Sequence, residues 1–157
     1  MDEIKRKGIA PQKGQTRPKR TTTYLLGHDR PAQITGKLRQ GVTFHNGKAF
    51  GADDVIESLQ MHTAEGAKSA AKPIVEAIVD MKKVSDSEIV FTLKAGNADF
   101  PFLLSDYHIL MYPAGMVDEA IAKGIGTGMY AVESFDPGVR FVGKRVDSHY
   151  KDGSAGW

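Results

Sequence analysis

The sequence predicts an α+β fold, a small mixed or antiparallel sheet carrying short helices. Two pairs of alternating segments sit at hairpin spacing, Ile78–Val84 with Glu88–Leu93 and Met129–Phe135 with Val139–Arg145. The helical stretches between strands are short and do not follow the βαβ rhythm of a parallel sheet. One stretch, Leu38–Leu59, packs strand, turn, return strand and helix into a single unit.

Taken in order, residues 1–20 are rich in Gly, Pro, Gln and Lys, lack periodicity and are expected to be a disordered basic leader. Thr21–Leu26 combines β-branched and aromatic residues and predicts a short strand. Gly27–Gly36 is polar, carries Pro31 and is expected to be a connector. In the central unit, Val42 and Phe44 alternate with Thr43 and His45, as one buried strand face requires. Asn46-Gly47 predicts a type I′ hairpin, where both central residues need positive φ. Gly51 is a weak helix N-cap. Asp53 and Asp54 place negative charge in the first turn, where the helix dipole favours it. Val55, Ile56, Leu59 and Thr63 follow at helical spacing.

Glu65–Ser69 is then a polar loop, and Ala70–Ala77 a short helix around Pro73. The hairpin of Ile78–Val84 and Glu88–Leu93 closes through Ser85-Asp86-Ser87, and Ile89, Phe91 and Leu93 mark its core face. Ala98–Ser105 reads as an apolar turn or short helix, Ile109–Tyr112 as a buried strand, and Met116–Lys123 as an amphipathic helix ended by Gly124. Asp136-Pro137-Gly138 turns the last hairpin.

Composition narrows the chemistry. The 157 residues suit one domain with its own core, at 41% apolar and 25% charged. No apolar run approaches the roughly eighteen residues of a membrane span. No apolar stretch follows the N-terminal basic residues, so no secretory signal is read in this sequence. The absence of cysteine excludes disulfides and thiolate chemistry. The net charge of +2 conceals an asymmetry, because residues 1–20 hold seven Lys or Arg against Asp2 and Glu3. Such a tail suits either a solvated leader or an arm for an acidic partner or nucleic acid, although it has no aromatics to stack on bases.

His28, His45, His62, His108 and His149 show no paired metal-ligand spacing, so no metal or cofactor is expected. No nucleophile–base–acid spacing stands out, and the reading is non-enzymatic. Gly126-Thr127-Gly128 lacks the lysine of a phosphate loop, and its structural reading is a tight crossing between elements.

Four segments resemble a known family. LRQGVTFHNGKAFGADDVIESL, SAAKPIVEAI, VFTLKAGNADFPFLLSDYHILMYPA and GIGTGMYAVESFDPGVRFVGKR occur in the order seen in extracytoplasmic solute-binding proteins of ABC importers, family 5, which bind peptides or nickel. Met129 stands where that family usually has Pro, and Val146–Lys151 departs from its usual Asn-Pro-x-Tyr-Trp-like sequence. The resemblance implies part of lobe I of a two-lobe, class II periplasmic-binding-protein fold, in a chain several times shorter than the family's members. It implies a small α+β subdomain over 34–124 and a return hairpin toward the main sheet over 125–157, within a lobe segment spanning 21–157.

The implied function is the substrate-binding component of an ABC transporter, capturing peptides or similar small solutes and meeting permease subunits in the full two-lobe form. The implied location is periplasmic or extracytoplasmic, while a form without a signal would stay in the cytoplasm. Ligand would lie near Lys68 and Ser69, Tyr107 and His108, and Gly126 and Thr127. One lobe alone is expected to bind weakly, because closure of two lobes supplies affinity. A partial lobe would leave apolar surface exposed around Val132, Phe135 and Phe141, which implies self-association or low stability. The alternatives left open are an interaction module using the basic tail and a truncated product with no activity.

Overall fold

The computed structural model describes residues 32–147 and 149–151. The leader, the strand expected at Thr21–Leu26, His28 and the last six residues lie outside the described residues.

Strand β3 (Glu88–Leu93) is central, with β1 (Ala32–Lys37) and β2 (Ile78–Ser85) antiparallel on either side. Alternation decides its orientation: Ile89, Phe91 and Leu93 are buried on one face. Helix α1 (Ala52–Gln60) contributes Ala52, Val55 and Leu59 to the same core, which Ala71, Val75, Phe100 and Ile109 complete. Each such large side chain contributes about 1.5–3 kcal/mol by leaving water. The α+β expectation and the β2–β3 hairpin both hold, with the turn narrowed to Asp86 and Ser87.

The connector expected over Gly27–Gly36 is instead partly strand. β1 pairs with β3 through Ile34↔Phe91 and Gly36↔Ile89. Its alternation was hidden because Ile34 is its one fully buried residue. Gly36 has a packing reason to be glycine: a Cβ there would lie 2.9 Å from Phe91 Cε2.

The unit at Leu38–Leu59 also differs in detail. Residues 42–50 form a short loop hairpin with one isolated bridge, Thr43↔Ala49, rather than two strands. Gly47 N–H donates to the Phe44 carbonyl (2.8 Å) and Phe44 N–H to the Lys48 carbonyl (2.8 Å). That pattern encloses three residues, with Gly47 at φ +84°, instead of the two-residue turn expected from Asn-Gly. Asn46 Oδ1 accepts the Lys48 N–H and so favours the longer loop.

Gly51 begins α1 without a capping side chain. Ala52 N–H donates instead to the Asp86 carbonyl at 2.9 Å, and Asp54 reaches back to the Gly51 N–H at 2.7 Å. A 3₁₀ turn (Met61–Thr63) follows, then α2 (Lys72–Val75) and, after the sheet, α3 (Phe100–Leu103). Phe100 packs on Phe91 with ring centroids 5.8 Å apart.

Ile109–Tyr112 is not a strand. Its segment runs along α1 and is bonded by side chains of that helix: Ser58 Oγ accepts from Tyr112 N–H (2.8 Å), Asp54 from Ala114 N–H (2.7 Å) and Glu57 from Gly115 N–H (2.9 Å). Helix α4 (Val117–Lys123) then ends at Gly124, φ +64°, the left-handed cap that glycine adopts without strain. The crossing Ile125–Met129 leads into a two-stranded ribbon, β4 (Tyr130–Asp136) and β5 (Arg140–Arg145), turned at Pro137-Gly138 as expected.

Candidate functional site

The 3₁₀ turn after α1 buries His62, which is 6% exposed. Ser69, in the polar loop that follows, accepts the Ala71 N–H at 3.2 Å and lies 2.6 Å from His62 Nδ1. A hydroxyl that accepts one N–H can still donate or accept once more, so the direction of the Ser69–His62 bond follows the His62 tautomer. Nε2 is buried and has no hydrogen-bond partner among the described residues. Burial lowers the His62 pKa from the ordinary histidine value, and the nearby charge of His108 lowers it further.

His108 is held from the opposite loop. Asp106 Oδ1 accepts its backbone N–H (2.9 Å) and pairs with its Nδ1 (2.8 Å). Those two contacts, the backbone one first, hold the Asp106 carboxyl below its usual range. Tyr107 stacks on His108, centroids 3.8 Å apart, and is 79% exposed.

Ser69, in one of the loops singled out from sequence, bonds His62, a residue not singled out as a ligand contact, and the charge of His108 in the second loop is felt at His62. Lys68 is exposed beside Ser69. The groups on offer are the Lys68 ammonium, the His108 imidazole and the Tyr107 aromatic face, suited to hydrogen-bonding and stacking recognition. A Ser–His pair is half of a hydrolytic arrangement, but the carboxylate Asp106 orients His108 rather than His62. Among the described residues no cluster of three or more His, Asp or Glu could hold a metal ion.

Gly126 and Thr127 have other partners. Gly126 donates its N–H to His45 Nδ1 (3.2 Å) and accepts from the His45 N–H (2.9 Å), while the Thr127 carbonyl lies 2.9 Å from His149 Nε2. The Gly126 N–H and carbonyl and the Thr127 carbonyl are thus engaged within the protein. An open groove between α2 and β2, lined by Gln60, Thr63, Val75, Glu76 and Met81, includes none of the residues singled out. Sequence spacing gave few clues to His62 and Asp106; the Asp-x-His step from 106 to 108 was the one local signal.

A family model described as the middle part of bacterial extracellular solute-binding proteins, family 5, matches residues 29–156. The chain belongs to this family. Among curated proteins it is 31% identical over 64 residues to the oligopeptide-binding protein AppA of Bacillus subtilis (strain 168), covering 41% of this chain and 12% of AppA. Among solved structures it is similar to the binding protein AgaA from A. tumefaciens R10 in complex with agropinic acid, with TM-score 0.72 and 21% identity over 83% of this chain and 27% of AgaA. It is likewise similar to NikZ from Campylobacter jejuni in complex with Ni(L-His), with TM-score 0.69 and 25% identity over 83% of this chain and 27% of NikZ. The periplasmic binding protein DppA from Helicobacter pylori, in complex with peptide STSA, gives TM-score 0.64 and 22% identity over 82% of this chain and 30% of DppA.

The chain thus spans about a quarter of the length of the first two structures. These likenesses carry the expected fold: an α+β piece of a periplasmic binding protein. Among the described residues no helix is long and apolar enough to cross a membrane.

Proposed function

We propose that this chain contributes one wall of a solute-capturing protein of an ABC importer, with peptides or similar small polar solutes as its cargo. The observation that carries the reading is the family match across residues 29–156, which contains all four segments that resemble the family. The wall is non-catalytic and acts outside the cytoplasm, and its working form meets permease subunits. Residues 34–124 act as the subdomain and 125–157 as the return hairpin, with the leader 1–20 taking no part in binding.

Within that wall, Lys68, Ser69, Tyr107 and His108 face the solute. The exposed Tyr107 ring, the Ser69–His62 bond and the nearby Lys68 ammonium support this placement. Gly126 and Thr127 position the loop rather than touch cargo, since their main-chain groups meet His45 and His149.

Nuclear magnetic resonance titration with tri- and tetrapeptides tests the site at the weak affinity expected of one wall. Shifts clustered at residues 62–69 and 106–110, lost in Tyr107→Ser, are expected. Shifts confined to the β4–β5 ribbon, or none at millimolar peptide, would remove this surface from the cleft.

A further inference from the structure

The crossing between α4 and β4 is gripped from two sides by histidines from distant parts of the chain. His45, in the loop hairpin, accepts the Gly126 N–H at Nδ1 (3.2 Å) and sets Nε2 2.9 Å from the Gly128 carbonyl. His149, beyond β5, accepts the Lys151 N–H at Nδ1 (3.1 Å) and sets Nε2 2.9 Å from the Thr127 carbonyl. A main-chain N–H only donates and a carbonyl only accepts. Each ring therefore carries a single proton, on Nε2. A second proton would occupy Nδ1 and turn the acceptor into a donor facing an N–H.

We infer that His45 and His149 form an acid-released latch, holding the Gly126–Gly128 crossing, and with it the β4–β5 ribbon, against the sheet-and-helix unit. The crossing depends on them because two of its three residues are glycines with no side chain to anchor. The His45 N–H bond to the Gly126 carbonyl (2.9 Å) survives protonation and keeps a hinge at that point. Histidine is the side chain whose ordinary charge change lies between about pH 5 and 8, and that is the range in which to look for release.

Among the described residues, the charged and titratable groups nearby are these. Ile125–Gly128 carries no ionisable side chain. Lys48, on the loop of His45, is turned to Asp54 and the Ala114 carbonyl. Near His149 stand Asp147, Lys151 and Tyr150, whose ring stacks on the imidazole at 4.2 Å, and Arg39, whose guanidinium lies 5.3 Å from the Tyr150 centroid.

Amide hydrogen exchange on the whole chain, corrected for intrinsic rates, tests the latch. Between about pH 8 and about pH 5, protection at Gly126 and Lys151 should fall by about tenfold, the scale of one hydrogen bond, while Phe91 in β3 stays protected. His45→Asn keeps an acceptor near the Nδ1 position without the titration, so its Gly126 protection should stay level. Nitrogen shifts of the unmodified protein at about pH 8 should show both rings in the Nε2–H form. The inference is overturned if Gly126 protection does not change with pH, if it changes equally in His45→Asn, if Phe91 loses protection in step, or if either ring is in the Nδ1–H form.

Discussion

Asp54→Ala should be among the most damaging single substitutions in α1, because three separate segments share that carboxylate. Oδ1 accepts from Lys48 Nζ (2.5 Å) and Ala114 N–H (2.7 Å), and Oδ2 from Gly51 N–H (2.7 Å). Asp54 is 2% exposed, whereas the Lys48 side chain is 37% exposed and can turn to water. The substitution leaves two main-chain N–H groups without their acceptor, at about 1–3 kcal/mol each. Loss of first-turn charge adds roughly 0.3–1 kcal/mol. The expected destabilisation is about 3–5 kcal/mol, the scale of a broken buried ion pair. Asp53→Ala is the matched control. Asp53 sits one residue earlier, is 66% exposed and pairs with Lys83 at 2.6 Å, a solvent-screened surface bridge of small consequence for stability. Urea unfolding followed by circular dichroism reads both, with Asp54→Asn falling between them because one oxygen is retained. Equal midpoints for Asp54→Ala and Asp53→Ala would refute the three-way role of this carboxylate.

Gly124→Ala should cost at least about 1 kcal/mol from its left-handed backbone alone. Its Cβ would also lie 2.5 Å from Val132 Cγ2, so Val132→Ala in the same chain should recover part of the loss, measured as a double-mutant cycle. Acid should weaken the fold through His62. Its folded pKa is lowered, so below about pH 6.5 the unfolded chain binds a proton that the folded chain refuses, and stability falls until the folded pKa is passed. His62→Asn should flatten that part of the slope in urea midpoints measured from about pH 7.5 to about pH 5, and an unchanged slope would exclude His62 as its source. Phe135 and Phe141, 64% and 60% exposed and in edge contact at 6.4 Å, should drive concentration-dependent association seen by sedimentation. Replacing both with Ser should shift the distribution to monomer, and an unchanged distribution would place the association elsewhere.

Local chemistry made much of this fold legible. β3 was readable because three apolar residues alternate, and the β4–β5 turn because Asp-Pro-Gly sets its own backbone. β1 was not, since its strand character comes from pairing with β3 and only Ile34 is fully buried. Ile109–Tyr112 looked like a strand because it is apolar and its core residue Ile109 is buried. The Tyr112 N–H, however, is bonded by Ser58, and the Ala114 and Gly115 N–H groups just beyond by Asp54 and Glu57 on α1, partners that periodicity does not reveal. Of the candidate site, the two loops were proposed through family resemblance. His62, between them, was missed because its significance comes from burial and from Ser69, neither of which its spacing shows.

The order of strands in the small sheet also sets an order of events during synthesis. β2 and β3 are joined by two residues and can zip within microseconds of emerging. β1 is made first, yet its partner lies about 50 residues downstream, a delay of roughly 3–10 seconds at ribosomal rates of about 5–20 residues per second. Through that interval β1 has no mate in its own sheet, and its hydrogen-bonding edge is open to other extended chains. A polar strand with Gln33, Thr35 and Lys37 alternating around Ile34 is well suited to waiting, because it offers little apolar surface for a wrong partner to bury.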